Sequence, residues 1–288
     1  MTLSSAAERV WTIGFVAARS LRRTRDMTRA VGDASRVLVV APHPDDESIG
    51  CAGAMLFHRQ AGADVTVLCA TDGRTSRAFG LGPEEMASRR RVEATQCADR
   101  LGVDLDWLGL PGDVWRDDDL ADGLASAITR HRPQLVYAPS AADFHPEHRR
   151  VAQVLGRVWD AGAPRPDVVR IYPIQVPLTA ALANVVLDVD AAITRVRDAM
   201  HAYATQIANI ERAFRQRRYT ARRHGAGRYA EEFWQMDAVT YSRLHRTVGE
   251  HVEFRGVRAN AAFDPLAYLV GGAAGRRLAR AASQGHPA

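Results

Sequence analysis

An α/β fold built on a mainly parallel sheet is predicted by three observations. Short apolar runs rich in Val, Leu and Ile recur along the chain. Helical patterns separate them. Polar clusters bearing His, Asp and Arg follow the apolar runs at their carboxyl ends. Short strands alternating with helices imply parallel pairing, with both faces of the sheet covered.

Taken in order, the strand candidates are 36–41, 64–70, 105–110, 134–139, 169–176 and 184–189. The helix candidates are 48–61, 83–101, 119–131, 147–160 and 191–218. In the first helix, Ile49, Ala52, Met55 and Leu56 share one face, and Gly62 follows as a glycine able to adopt the left-handed turn that ends a helix. Pro83 opens the next helix, where its missing N–H costs nothing. Residues 1–35, with Val10, Trp11, Ile13, Phe15 and Val16 interrupted by polar residues, read as an amphipathic helical extension rather than a secretory signal. Residues 36–220 read as the catalytic domain. Residues 221–288, rich in Arg, Gly and Ala, read as a mostly helical extension of it, loose after about Gly271. The expected architecture is thus Rossmann-like, with helices on both faces and helical extensions at each end.

Composition narrows the function. The chain has 288 residues and a net charge of +5, and every one of its 38 basic residues is arginine. The arginines are spread along the chain and interleaved with acids such as Asp117, Asp118 and Asp119, which argues against nucleic acid as a partner. Cys51, Cys69 and Cys97 lie in apolar patterns without a CxxC spacing, so buried thiols in a reducing, cytoplasmic compartment are expected. No apolar run reaches the roughly 18 residues of a spanning helix. Contact of the N-terminal stretch with a membrane surface is the minor reading, and oligomeric state is not legible.

The chemistry lies at the strand ends. His43-Pro44-Asp45-Asp46-Glu47 follows the first strand, Thr71-Asp72-Gly73-Arg74 the second, Pro111-Gly112-Asp113 the third, and Asp143 to His148 the fourth. In open α/β sheets, ligands bind beyond the carboxyl ends of the strands, so these segments point to one rim. Taken alone, an Asp-Asp pair before a helix is most often an N-cap, and a His at a strand end a surface residue. Two His-containing clusters on one rim instead supply the donors of a hydrolytic metal site, which needs three protein ligands and an open position for water. His43, Asp46, His145 and His148 are all ligand candidates. Asp45 is a spare carboxylate able to act as general base.

These residues resemble the LmbE-like (PIG-L) family of zinc-dependent de-N-acetylases. The resemblance rests on Pro42-His43-Pro44-Asp45-Asp46-Glu47 with Gly50 and Gly53, and on His145-Pro146-Glu147-His148, where the family usually has aspartate in place of Glu147. Thr71-Asp72-Gly73, Arg90-x-x-Glu93 with Leu101-Gly102, Leu108-Gly109-Leu110-Pro111 and Tyr203-Ala204-Thr205-Gln206 add to it. It covers roughly residues 36–210. It implies a small-molecule amino-sugar or glycoconjugate substrate of N-acetylglucosaminyl type, with Zn2+ as cofactor, Fe2+ being compatible with the same donors. Carried over by motif, it makes His43, Asp46 and His148 the metal ligands, Asp45 the general base, and His145 a charged group serving the oxyanion or leaving amine. Arg90, Asp72 and Arg74 are expected at the substrate.

Two rival readings compete. His43-x-Asp45 with a distant His also matches the triad of Fe(II) oxygenases, but those enzymes are usually all-β. A non-catalytic sugar- or partner-binding module would typically have lost Asp45 or a His, and all are present.

Overall fold

In the computed structural model, residues 27–112, 114–176, 178, 182–251, 273 and 275–282 are described. Most of the expected N-terminal helix, Asp113 and most of the C-terminal tail lie outside these residues. The strands are β1 (Arg36–Ala41), β2 (Asp64–Thr71), β3 (Asp104–Leu110), β4 (Leu135–Ala138), β5 (Val168–Ile171), β6 (Val185–Asp188) and β7 (Ala230–Met236). They form one sheet in the order β3-β2-β1-β4-β5-β7-β6. The pairs from β3 through β5 are parallel, and β7 runs antiparallel to both β5 and β6.

The period of two along β1 builds two cores. Val37, Val39 and Ala41 enter the cluster on one face, Leu38 and Val40 the cluster on the other. The first face carries α1 (Asp46–Gln60), α2 (Pro83–Leu101), α5 (Ile193–Met200) and α6 (Ile207–His224). The second carries α3 (Asp117–His131), α4 (Pro146–Asp160) and α7 (Ala238–His251), with Leu278 of the helical residues 275–282. Helix α1 packs tightly on the sheet because Gly50 has no side chain: a Cβ there would lie 2.2 Å from the Tyr172 ring.

The structure corrects the expected elements in three places. Residues 27–35 contain no helix; Thr28 instead bridges to Val185. The expected helix 191–218 divides into α5 and α6, and the turn between them carries Tyr203. The segment after residue 220 is not only helical, since β7 lies inside the sheet. Its hydropathy hides it: Glu231 and Glu232 are 4% and 1% exposed. Each is tolerable there because it is paired, Glu231 with Arg217 at 2.7 Å and Glu232 with His224 at 2.7 Å.

Candidate metal and hydrolytic site

Strands β1 and β4 are neighbours, and strand order reverses between them. The loops that leave their carboxyl ends therefore open a crevice at a topological switch point, where ligands bind in such sheets. This brings His43 and His148 together although 105 positions separate them.

His43 Nδ1, Asp46 Oδ2 and His148 Nε2 form a small triangle. His43 lies 3.0 Å from His148 and 3.2 Å from Asp46, and His148 lies 3.2 Å from Asp46. Bonds of about 2.0–2.1 Å to a tetrahedral zinc would place its ligands roughly 3.3 Å apart, so the donor set fits one small divalent ion. Each imidazole is oriented from behind by a carboxylate: His43 Nε2 meets Glu147 Oε2 at 2.8 Å, and His148 Nδ1 meets Asp143 Oδ1 at 3.0 Å. Such carboxylate–histidine pairs fix the ring and raise its basicity as a ligand. His145 also offers a ring nitrogen within 4.8 Å of those of His43 and His148. The set with Asp46 has the shorter edges and supplies negative charge, so it is the better cradle for a cation.

Packed together, these groups shift one another's proton affinities. Burial alone would depress the His148 pKa, but Asp46 and Asp143 outweigh it and push it up to about 10. Burial would raise the Asp46 pKa, but His148 and His43 hold it well below the usual carboxylate range. The adjacent Asp45 behaves oppositely: burial lifts it to about 6, against the pull of Arg90. Neighbouring carboxylates with pKa values driven apart have separate roles to play.

Asp45 occupies the position before α1 but does not cap it with its side chain. The ordinary N-cap reading therefore fails. Its φ of 126° lies in the left-handed region that an aspartate adopts only under constraint. The constraint is visible. Glu47 Oε2 accepts from the Asp45 N–H at 3.1 Å, and Glu47 Oε1 accepts from the Tyr203 hydroxyl at 2.6 Å. Arg90 donates to Asp45 Oδ1 at 2.7 Å and also to the Pro44 and Gly73 carbonyls. Arg90, expected at the substrate, thus lines the cavity with a guanidinium committed to Asp45.

At His145 the surroundings oppose a charge. Burial, then repulsion from His43 and His148, pulls its pKa down to about 3. Its Nδ1 accepts from the Glu147 N–H at 3.3 Å, which places the proton of the neutral ring on Nε2. The ring offers a hydrogen-bond donor rather than a charge.

A cavity of about 600 Å³ opens over these groups, and Thr75, Ser76, Arg77, Phe79, Gln206 and Arg212 also line it. Asp72 and Arg74 are not brought to it. They bind each other at 2.7 Å, and Asp72 also accepts from the Gly112 N–H, so they shape the loop instead. Sequence reading also missed functional neighbours. Asp143 could have been suspected from its place five residues before His148. Glu147 is held by the Trp115 indole N–H at 2.6 Å, a contact no local pattern reveals.

Comparison with known proteins identifies the family. Residues 38–159 match the family model for GlcNAc-PI de-N-acetylase (PIG-L). A probable N-acetyl-alpha-D-glucosaminyl L-malate deacetylase 2 of Bacillus subtilis is 30% identical over 190 residues, 61% of this chain and 85% of that protein. A 1D-myo-inositol 2-acetamido-2-deoxy-alpha-D-glucopyranoside deacetylase of Kineococcus radiotolerans is 30% identical over 158 residues, 42% of this chain, and there the match spans only 44% of the relative. The fold matches that of N,N'-diacetylchitobiose deacetylase from Pyrococcus horikoshii at a TM-score of 0.62 and 21% identity, covering 84% of this chain and 95% of that one. The motifs that form the triangle and its supporting carboxylates all fall within the matched residues, and the chain belongs to the PIG-L, or LmbE-like, family.

Proposed function

We propose that this protein is a zinc-dependent hydrolase that removes the N-acetyl group from an amino sugar of N-acetylglucosaminyl type. One observation carries the reading: a three-donor triangle, backed by two carboxylates, stands beside a separate strained carboxylate in the lining of a sugar-sized cavity. His43, Asp46 and His148 would hold the ion; Fe2+ suits the same donors. When bound, the ion supplies Lewis acidity toward water and the amide carbonyl.

The chain's own groups supply the rest. Arg90 occupies Asp45 Oδ1 and leaves Oδ2 to take the proton of the attacking water. Glu47 and Tyr203 fix the Asp45 backbone from below, which holds that oxygen in place. His145, neutral, donates its Nε2 hydrogen to the oxygen of the tetrahedral intermediate, a contact stronger there than in the ground state. Asp45 then returns its proton to the departing amine. The free, buried Cys51, Cys69 and Cys97 suit a cytoplasmic enzyme. Among the described residues no helix is long and apolar enough to cross a membrane.

The test is direct. Protein loaded with zinc or Fe2+ is incubated with a panel of N-acetylated amino sugars, and acetate and free amine are measured. Equal release of both, abolished by chelation and restored by metal, is the expected result. Failure of every member of the panel under both metals would overturn the reading.

A further inference from the structure

The indole of Trp115 is tied to the metal donors without lining the cavity over them. Trp115 lies in the loop between β3 and α3 and is buried. Its Nε1–H donates to Glu147 Oε1 at 2.6 Å. The other oxygen of the same carboxylate, Oε2, meets His43 Nε2 at 2.8 Å. One carboxylate thus joins an indole N–H to the ring of a metal donor. In sequence, 32 positions separate Trp115 from Glu147 and 104 separate Glu147 from His43, so only the fold assembles this chain of contacts. Burial alone does not bring an indole N–H to a partner in this core. Trp159 is buried in the same cluster, and its N–H has no hydrogen-bond partner among the described residues.

The indole is itself held. The Arg150 guanidinium carbon lies 3.6 Å from its ring centroid, and Arg150 Nη2 donates to the Trp115 carbonyl at 2.9 Å. Arg150 in turn binds Asp117 in the first turn of α3. Rigidity is what such an anchor supplies. Glutamate turns about three side-chain bonds, so a glutamate that orients a histidine must be ordered before it can do so. An indole N–H is a donor and nothing else, so Trp115 cannot reverse its bond to Glu147 as a hydroxyl could. With Oε1 fixed by Trp115, Oε2 stays on His43 Nε2, and Nδ1 of that ring stays beside Asp46 Oδ2 and His148 Nε2.

We infer that Trp115 is a positioning residue of the metal site: acting through Glu147, it fixes the ring of His43 and so tightens the hold of the three donors on the ion. The inference rests on the reading of His43, Asp46 and His148 as metal ligands, and not on which amide is cleaved. Trp115 touches neither the ion nor the substrate, so its contribution appears first in metal affinity.

The experiment measures zinc affinity of the full chain by competition with a chelator at fixed pH, with no substrate present. Trp115→Phe keeps an apolar ring and deletes the N–H. Replacing Trp115 by 3-benzothienylalanine keeps the whole bicyclic shape with sulfur in place of the N–H, and serves if the phenylalanine variant does not fold. Either should weaken zinc binding about tenfold, the lower end of what loss of a group behind a metal ligand costs. Glu147→Ala should weaken it at least as much. The deciding measurement repeats the Trp115 replacement in the Glu147→Ala protein. If Trp115 acts through Glu147, nothing further is lost there, whereas a loss of packing costs the same factor in both backgrounds. Trp159→Phe thins the same core at an indole whose N–H is unbonded, and should leave the affinity at the wild-type value. Unchanged affinity in the Trp115 variants, an equal further loss in the Glu147→Ala background, or an equal loss in Trp159→Phe would overturn the inference. Because no turnover is read, the result is separate from the deacetylase reading. Coupled loss of zinc in a chain that cleaves no N-acetylated amino sugar would keep Trp115 in its role and remove the activity. Deacetylation without the coupling would do the reverse. A wild-type chain that binds no divalent ion would overturn both.

Discussion

The two ends of the sheet carry the same residue types and make different things of them. At the amino ends of β1 to β3, Arg36, Asp64, Asp104, Asp106, Arg130 and His131 line a second cavity of about 480 Å³. Asp106 accepts there from Arg130 and, at 3.0 Å, from His131. The Arg130 side chain is 55% exposed and that of Asp106 25%, whereas His148 and Asp46 at the opposite end are 2% and 4%. Water screens the first group; the second has lost its water and depends on its neighbours. The consequence is visible in the carboxylates. For Asp106, burial is outweighed by His131 and Arg130, and the pKa is lowered. At the site, one aspartate is driven down and its neighbour up to about 6. Composition is shared; dehydration and convergence at the switch point make the site.

The comparison is broken most severely by removing a donor. His148→Ala should reduce bound metal from about one ion per chain to nearly none, with activity falling to the level of chelated protein. Elemental analysis after gel filtration checks it, and full retention of metal would remove His148 from the ligand set. Asp45→Asn should instead keep its metal and lose about 10²–10⁴ in kcat, because an amide cannot accept the water proton. Loss of metal in that variant would make Asp45 a ligand. Asp143→Asn sits one step further out. It leaves the triangle intact but weakens the orientation of His148, and metal affinity should drop about 10–100-fold, as competition with a chelator would measure.

The pH profile sharpens the same contrast. Asp45 must be ionised to act, and Arg90 favours that form. Arg90→Gln should therefore raise the Asp45 pKa, and the acid limb of kcat/KM should move to higher pH by about one unit or more. An unmoved limb would show that some other group controls it.

How much of this was legible in the sequence follows from what each feature depends on. The strands β1 to β4 and the helices between them declare themselves because period and hydropathy are local. The His43 and His148 clusters declare themselves because the ends of parallel strands converge. Strand β7 did not, because its buried glutamates become tolerable only through Arg217 and His224 on α6, partners that no window around residue 231 contains. The downward pull on the His145 pKa was hidden for the same reason: it follows from burial beside two other imidazoles. The partners of Arg90, Asp72 and Arg74 were likewise not legible: Arg90 binds Asp45, and Asp72 and Arg74 bind each other.

The smallest effect belongs to the exposed end. Asp106→Asn removes the acceptor shared by Arg130 and His131. Exposed pairs contribute about 0–1 kcal/mol, since solvent screens the attraction and two long side chains must be held in place. The sign is fixed by the direction of the shift. A carboxylate whose pKa is lowered by folding stabilises the native state above its unfolded pKa, and that contribution fades as pH falls through the folded value. Urea unfolding at neutral pH should therefore show the variant less stable than wild type by no more than about 1 kcal/mol. The gap should close in acid, as pH falls through the lowered folded pKa of Asp106 and both proteins come to carry a neutral side chain. Turnover should be unchanged, because Asp106 lies on β3, two strands from β1, and its side chain pairs with Arg130 and His131 outside the cavity over the metal donors. A loss of several kcal/mol, or a fall in kcat, would mean that this end of the sheet is as tightly coupled as the other, and that exposure does not separate the two.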